Sequence, residues 1–469
     1  MLARLRVETA VLFGLVVVHA SPALPQTVAP AEGQHATPLT LSDAVAYART
    51  HLPAVKAALA DKVAAGEDVK VARTAYLPQV NILAQINRST VNNVTGLLFP
   101  QAGLPAISGP VLQETGRSTW NSTIGLSASW RPVDFGVRAA RVRAARSAEE
   151  VAGDNADLTQ LDVQFATVNA FLNLVAAQKL EQAATANLTR LDSFRAAVRG
   201  LVANKLRAGA DGEQADAAVA LAQSSLVAAQ ANVAAQRAVL ARLVGRPVGD
   251  VTVDAANLDQ LPVSLPTTAS VDAHPAVKLE KARTDQQAAT LTSIARSASP
   301  QLDLVGGVYG RGSGKTSDGR YLGGTSGLDP SVSNWGVGVQ FNFALGNLPA
   351  IKSQERAQLA RVNAQRDRYE QALLDAQERL ELAKADLAAA QQIEGLTPTA
   401  LQAARTSEQQ QRIRFQAGLA TLVDVTNAEA VLAQAESQDL IARLNIWRAQ
   451  ASLAAAQGDF APFEQLLRP

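Results

Sequence analysis

The residues of this chain that could do chemistry are few, and none of them forms a recognisable catalytic set. The chain has four histidines and no cysteine. Without cysteine there is no disulfide, no thiolate metal ligand, no cysteine nucleophile and no N-terminal cysteine for a lipid anchor. His51 and His274 stand beside prolines at equivalent places in two similar stretches, which favours a loop or helix N-cap role over metal binding. We therefore predict no metal site and no cofactor site.

A glycine-rich stretch at residues 310–316 superficially resembles a phosphate-binding loop. The motif requires a glycine where Tyr309 stands, and no helical pattern follows Thr316, so a phosphate would lack a helix N-terminus. The chain also lacks a catalytic triad pattern and an H-E-x-x-H zinc motif. The sequence therefore predicts a protein that is not an enzyme.

The N-terminus has the pattern of a secretory signal peptide. Arg4 and Arg6 precede an apolar run over residues 9–20, and small residues and proline follow it. The alternative, a transmembrane anchor, needs a longer run to cross about 30 Å of hydrocarbon. We predict a signal peptide at residues 1–23 and an N-terminal tail at 24–40. No later apolar run is long enough to predict a transmembrane helix.

The rest of the chain contains two copies of the same order of sequence features. Pro53 and Pro275 lie in similar stretches, as do Pro78 and Pro300, and both pairs are 222 residues apart. Such internal similarity predicts two structural repeats. We place repeat 1 at residues 41–262, with a turn near 208–212, and repeat 2 at 263–458, with a turn near 416–421. Residues 459–469 are predicted to be a C-terminal tail.

Each repeat is predicted to contain a very long helix and a returning helix. After the first turn, Val219, Leu226, Val233 and Leu240 recur every seven residues, which is the spacing of a coiled-coil seam. Alanine crowds the other faces and allows close approach of neighbouring helices. A helix from about Asp134 to Leu206 would be roughly 105 Å long at 1.5 Å per residue.

Four segments of about ten residues alternate between apolar and polar side chains. They lie at residues 79–88, 120–131, 300–310 and 334–343. The length and alternation are typical of strands that cross a bilayer, with lipid on one side and water on the other. Trp120, Trp130 and Trp335 lie near strand ends, where an aromatic girdle would contact the membrane interface. The alternative is an amphipathic sheet on a soluble core.

Four strands of one chain cannot close a membrane barrel, because an open sheet in lipid leaves its edge N–H and C=O groups without partners. Two chains would supply eight strands, whose side chains fill the barrel, whereas three would leave an open lumen. The predicted fold is therefore mainly α-helical with a membrane β-barrel. It is a trimeric α/β barrel in which each chain gives four transmembrane strands and long coiled-coil helices. A formal net charge of +1 argues against nucleic acid as a partner.

The ordered set of motifs resembles the TolC-like outer-membrane efflux family. A strand-to-helix corner follows Trp130, and the stretch from Phe415 to Val425 is similar to the family's periplasmic tip. The resemblance implies a homotrimeric exit duct in outer-membrane lipid, which serves tripartite efflux or type I secretion. A periplasmic adaptor and an inner-membrane pump would dock on it and open it. The sequence does not identify the transported cargo. The alternative function is an exported coiled-coil scaffold or adhesin without a channel.

The resemblance also assigns roles to residues of the tips. Asp424 matches an aspartate that lines the closed periplasmic gate, and Asn427 stands where a second aspartate often follows. A different interpretation makes Asp424 part of a capping box with Thr421. The family implies that the tips contact the adaptor, through Gly209, Gly418 and Leu419 in this chain. We expect both glycines to adopt positive φ, and Asp216 is a candidate counterpart of Asp424 in the first repeat.

Overall fold

The structure is a computed structural model that describes residues 38–90, 116–263, 265, 270–316 and 320–467. These belong to one unit, Pro38–Pro469. The predicted signal peptide and nearly all of the N-terminal tail lie outside the described residues. Eight α-helices and four strands follow one another in the described residues: α1 Leu41–His51, α2 Pro53–Thr74, β1 Gln79–Thr90, β2 Ser118–Val133, α3 Val137–Ala203, α4 Gly209–Val244, α5 Pro275–Arg296, β3 Gln301–Ser313, β4 Val332–Asn342, α6 Leu348–Gln416, α7 Leu422–Gln457 and α8 Ala461–Leu466.

The two halves of the chain repeat the same order of elements. The helices α2 and α5 each have 22 residues and begin with a proline, and α4 and α7 each have 36 residues. Each proline stands in the first turn, where its missing N–H would have no helical partner. The four strands fall within two or three residues of the predicted segments. The stretch that resembled a phosphate-binding loop is the end of β3 and the residues after it.

The strands form one antiparallel sheet in the order β1-β2-β3-β4. The helices beside it also lie in a row. Near the sheet the neighbours are α2, α3, α5 and α6, and toward the tips they are α4, α3, α7 and α6. The long helices α3 and α6 therefore run through both levels, while α4 and α7 return from the tips.

Helix packing follows the predicted seams. In α4, Val219, Val233 and Leu240 are buried. The main core lies between α3 and α7, with α4 and α6 contributing beside them, and it includes Phe171 and Leu172. Because α3 has 67 residues, it is about 100 Å long at 1.5 Å per residue.

Three expectations about the fold need adjustment. The predicted C-terminal tail contains α8, because Phe463 is fully buried and packs edge-to-face on Trp447, with ring centroids 6.2 Å apart. His274 is the N-cap of α5, but His51 is the last residue of α1 and stacks on Tyr47.

The third adjustment concerns α4, which is long and apolar enough to cross a membrane by length and composition, although no such helix was expected. Alanine gives α4 this apolar character. One such helix is weak evidence for a membrane span, and α4 packs along α3.

Candidate functional site

One face of the sheet is covered with exposed apolar side chains. Side chains that pair across neighbouring strands project from the same side of a sheet. The register pairs Ile82 with Leu126, Leu126 with Val308, and Val308 with Trp335. The same face, here called the apolar face, carries these large exposed side chains: Val80, Ile82, Ile86, Ile124, Leu126, Trp130, Leu304, Val308, Trp335, Val337, Val339 and Phe341. A soluble monomer rarely exposes an apolar patch of more than a few hundred Å², so this face requires an apolar environment.

The opposite face of the sheet is mostly polar or small. Asn81 pairs with Ser127, and Asp303 pairs with Gln340. The Asp303 carboxylate accepts hydrogen bonds from Nε of Arg131 at 2.6 Å and from Nη2 at 3.2 Å. An apolar face opposite a polar face is the arrangement of a barrel wall between lipid and a water-filled lumen.

Among the residues that the structure describes, both edges of the sheet lack a partner strand, because β1 pairs only with β2 and β4 pairs only with β3. In hydrocarbon, the free N–H and C=O groups of an edge strand would each cost several kcal/mol. The sheet is therefore incomplete as a membrane structure until other strands cover its two edges.

The three tryptophans singled out from the sequence all project from the apolar face. Trp120 and Trp130 lie ten residues apart on β2, roughly 33 Å at 3.3 Å per residue. In a membrane barrel with the usual strand tilt of about 40°, this separation would correspond to about 25 Å of membrane depth. Trp335 lies between these two levels, opposite Val308. Trp130 donates a hydrogen bond from Nε1 to the carbonyl oxygen of Tyr76 at 3.1 Å.

A buried ion pair marks the corner between β2 and α3. The Asp134 carboxylate accepts hydrogen bonds from the backbone N–H of Gly136 at 3.1 Å and of Arg138 at 2.8 Å. It also accepts one from Nε of Arg138 at 2.7 Å. Burial alone would raise the pKa of Asp134, but these hydrogen bonds and the charge of Arg138 hold it below its ordinary value. The Arg138 guanidinium lies 4.5 Å from the ring centroid of Tyr76, next to the end of α2.

The corner also explains why α3 begins at Val137 rather than near Asp134. Phe135 and Gly136 adopt φ values of 50° and 92°, so the chain reverses there before the helix starts. Asp134 then satisfies N–H groups of the first turn. The sequence contained the corner motif, but it did not reveal the pairing of Asp134 with Arg138.

At the second tip the structure contains both features expected from the sequence. Gly418 has φ of 74°. Thr421 and Asp424 form a capping box: the Asp424 N–H donates to the Thr421 hydroxyl at 3.2 Å, and the Thr421 N–H donates to the Asp424 carboxylate at 2.8 Å. Hydrogen bonds from the Thr421 hydroxyl and N–H lower the pKa of Asp424. The side chains of Asp424, Asn427 and Leu419 are exposed.

The first tip differs from expectation. The turn spans residues 204–208, and Gly209 is already the first residue of α4. Lys205, with φ of 60°, adopts the left-handed conformation that was expected of Gly209. The reason is that the turns at the two tips have the same length. In each, the N-cap of the returning helix stands three residues after the residue with positive φ. These pairs are Lys205 and Ala208 in the first tip, and Gly418 and Thr421 in the second.

This alignment of the tips changes the counterpart of Asp424. Asp211 is the third residue of α4, as Asp424 is of α7, so Asp211 and not Asp216 occupies the equivalent position. Asp216 instead pairs with Arg199 on α3. Ala208 has no side-chain oxygen, so the first tip has no capping box.

The two tips are packed together through aromatic contacts. The Arg207 guanidinium lies 4.3 Å from the ring centroid of Phe415 and donates to its carbonyl oxygen at 3.0 Å. Phe194 of α3 packs edge-to-face on Phe415 at 5.4 Å between centroids. Val198 and Val425 are fully buried in the same cluster. Sequence reasoning missed this cluster, whose only signal was two aromatic residues near the ends of alanine-rich helices.

A second missed feature is a buried charge cluster above the tips. Arg190 of α3 contacts Glu429 at 3.3 Å and Glu436 at 2.9 Å, both on α7. Arg412 of α6 also contacts Glu429, and it lies 2.6 Å from Glu408. The Glu429 side chain is only 2% exposed. Burial, and secondly the charge of Glu408, raise its pKa. These ion pairs connect α3 of repeat 1 with α6 and α7 of repeat 2.

Comparison with known proteins agrees with this architecture. The family described as Outer membrane efflux protein matches residues 45–246 and 272–459. A search of curated proteins finds no match. Among solved structures, the outer-membrane channel OprN is 21% identical, with a TM-score of 0.72, and the match covers 89% of each chain.

Two further solved structures have the same fold. The outer membrane protein VceC from Vibrio cholerae is 20% identical with a TM-score of 0.71, and the match covers 89% of this chain and 96% of VceC. The CmeC outer membrane channel of Campylobacter jejuni is 15% identical with a TM-score of 0.74, over 89% of this chain and 85% of CmeC. With the family match over both halves of the chain, these findings identify it as a member of the outer membrane efflux protein family, a family of transport proteins.

Proposed function

We propose that this chain is one third of a homotrimeric channel that conducts solutes from the periplasm through the outer membrane. The observation that carries the proposal is the sheet, which has an exposed apolar face and, in the described part of the chain, two edges without a partner strand. Pairing β4 of one copy with β1 of the next would satisfy both edges. Three copies would supply twelve strands and leave an open lumen.

The helices support the same trimeric arrangement, because each row of helices ends on the same two sides as the sheet. On one side lie β1, α2 and α4, and on the other lie β4 and α6. The edge helices also have exposed apolar side chains, such as Leu221 and Val227 on α4 and Leu396 on α6. A neighbouring copy that joined β4 to β1 would bring α6 beside α4 and cover these side chains.

The tips are the proposed docking site for a periplasmic adaptor, which would connect the channel to an inner-membrane pump. Gly209, Gly418 and Leu419 are exposed there. We propose that Asp424 forms a ring of three carboxylates at the gate and that Asn427 lies one helical turn further along the same helix. In this role the protein is a passive conduit with no catalytic activity. Trp120 and Trp130 would contact the two membrane interfaces, whereas Trp335, which lies between their levels, would contact lipid hydrocarbon.

Native mass spectrometry of the detergent-purified protein tests the assembly. We expect a complex of three times the mature mass, and channel conductance after insertion into planar bilayers. A stable monomer in lipid would contradict the proposal. The rival function, an exported scaffold or adhesin without a channel, predicts a protein that stays soluble without detergent and gives no conductance.

Paired cysteines test the helix edges, because the chain has no cysteine of its own. Val227 and Leu396 lie at similar distances from their tips, roughly 27 and 30 Å at 1.5 Å per residue. Oxidation of Val227→Cys combined with cysteines scanned across residues 393–400 should give covalent dimers and trimers. As a matched control, Val227→Cys with Leu374→Cys, which is exposed but much further from the tip, should stay uncrosslinked.

A further inference from the structure

At the end of the sheet that lies farthest from the helices, two arginines lie over aromatic rings. Arg88 is on the apolar face, because it pairs with Trp120 across the strands, and its guanidinium lies 5.6 Å from the Trp120 ring centroid. The Arg117 guanidinium lies 5.9 Å from the ring centroid of Tyr321. We call Arg88, Arg117, Trp120 and Tyr321 the arginine collar.

Ser118 connects the members of the collar. Arg88 donates from Nε to the Ser118 hydroxyl at 3.0 Å, and the Tyr321 hydroxyl donates to the Ser118 carbonyl oxygen at 3.1 Å. Arg117 is the adjacent residue in the chain. Both arginine side chains and the Tyr321 ring are exposed. Ser118 and Tyr321 therefore connect the two arginines at the strand ends, and both guanidinium groups are exposed to the surroundings.

The charge at this end of the sheet is positive. Residues 86–123 and 312–333, which leave out Arg311 on the opposite face, contain these four basic and three acidic residues: Arg88, Arg117, Lys315, Arg320, Glu114, Asp318 and Asp329. At the end near the helices, Arg131 is neutralised by Asp303. An excess of positive charge beside an exposed apolar surface suits an amphipathic anion better than a neutral lipid.

Exposed apolar side chains continue directly from the collar. Ile86 is 65% exposed and lies two residues before Arg88 on the same face, which is roughly 7 Å along the strand. Ile124 follows on the neighbouring strand and is 51% exposed. A molecule whose anionic group contacted the collar would therefore lay its hydrocarbon on the apolar face.

We propose that the arginine collar binds the phosphate groups of a phosphorylated glycolipid in the outer leaflet of the membrane. Guanidinium groups pair with phosphate oxygens in a bidentate way, and aromatic rings are favoured at the level of lipid headgroups. The proposal rests on the proposed function, which places this end of the sheet at the cell exterior. There the lipid of a Gram-negative outer membrane carries phosphate on a sugar headgroup.

Native mass spectrometry with added lipid tests the proposal on the full-length detergent-purified channel. The probes are diphosphorylated lipid A, its dephosphorylated analogue and phosphatidylglycerol. We expect wild-type protein to retain lipid A at least about 10-fold better than the dephosphorylated analogue, as expected for the loss of charge-assisted hydrogen bonds. Arg88→Gln combined with Arg117→Gln should lose this preference.

Arg311→Gln is the matched control, because Arg311 pairs with Thr123 on the opposite face of the same sheet; it should bind lipid A as wild type does. The proposal would be overturned if the double variant retained lipid A as well as wild type does. It would also be overturned if wild type retained the dephosphorylated analogue as well as it retains lipid A. Phosphatidylglycerol retained as well as lipid A would overturn the glycolipid assignment. Conductance distinguishes failure of this proposal from failure of the proposed function. A channel that conducts but shows no lipid preference contradicts only lipid binding by the arginine collar. A protein that forms no trimers and gives no conductance contradicts the proposed function.

Discussion

Arg207 lies over the ring of Phe415, with its guanidinium 4.3 Å from the ring centroid, and donates a hydrogen bond to the carbonyl oxygen of the same residue. This contact attaches the turn of the first tip to the end of α6. The two tips are therefore packed together, and we expect this contact to rearrange if the tips open as the proposed gate.

Arg207→Gln should make the turns of the two tips open more often without unfolding the long helices. A partly exposed cation–π contact contributes about 0.5–1 kcal/mol, so opening of the turns should become about 2- to 5-fold more frequent. Hydrogen exchange of amides 204–208 and 417–421 measures this change. Arg195→Gln is the control, since Arg195 forms its closest ion pair within α3, with Asp192 at 2.6 Å. Equal exchange in Arg207→Gln and wild type would show that the contact does not hold the tips.

The gate assignment predicts a response to charge at Asp424. In planar bilayers, Asp424→Ala should weaken block by divalent or polycationic blockers from the periplasmic side, because a ring of three carboxylates attracts cations. Asn427→Asp should strengthen the block by adding a second ring. If Asp424 acts only in the capping box with Thr421, blocker affinity stays unchanged in both variants while Asp424→Ala trimers lose stability.

The Asp134 ion pair predicts acid sensitivity at the corner between sheet and helices. The pKa of Asp134 is lower in the folded protein than its ordinary value of 3.8, so the stability it contributes is present above about pH 4 and is lost as pH falls through the folded pKa. Asp134→Ala leaves Arg138 buried without its partner and should cost about 3 kcal/mol at neutral pH. Asp134→Asn keeps an acceptor for the N–H groups and should cost less. Thermal unfolding of the purified protein measures both variants, and equal stability of Asp134→Ala and wild type would contradict the assignment.

Glu429 predicts the opposite dependence on pH. Its pKa is raised above the ordinary value of 4.5, so between pH 4.5 and the folded pKa the folded state binds more protons than the unfolded state. Protonation of Glu429 therefore increases the free energy of unfolding as pH falls from neutral toward 4.5. Glu429→Gln should remove this pH dependence from the hydrogen exchange of α7. Glu436→Gln, which removes the more exposed partner of Arg190, should retain it. An unchanged slope in Glu429→Gln would contradict the prediction.

The orientation of the channel predicts which loops reach the cell exterior. Residues 91–117 join β1 to β2 and residues 314–331 join β3 to β4, both at the end of the sheet away from the helices. Gly103 and Gly319, the proposed insertion points, lie in parts of these loops outside the described residues. An epitope inserted at either point should be labelled on intact cells. Labelling only after permeabilisation of the outer membrane would reverse the orientation.

The sequence by itself determined the elements of this protein. Alternation of apolar and polar residues, as from Trp335 to Phe341, identifies strands because side chains of a strand alternate between two faces. Heptad spacing, as from Val219 to Leu240, identifies the rods because residues seven apart lie on one side of a helix. Both signals are local, so they can be read without knowing which elements are neighbours. The capping box of Thr421 and Asp424 is local for the same reason.

Only the tertiary structure decided contacts between residues far apart in the chain. Arg190 and Glu429 are 239 positions apart, and Phe463 is buried only because Trp447 and the neighbouring helices surround it. The conformation of the first tip is a further case: Lys205, not Gly209, has positive φ because the length of the turn between two packed helices fixes which residue reverses the chain. Such features depend on which residues far apart in the chain meet, and these individual contacts leave no period or motif in the sequence.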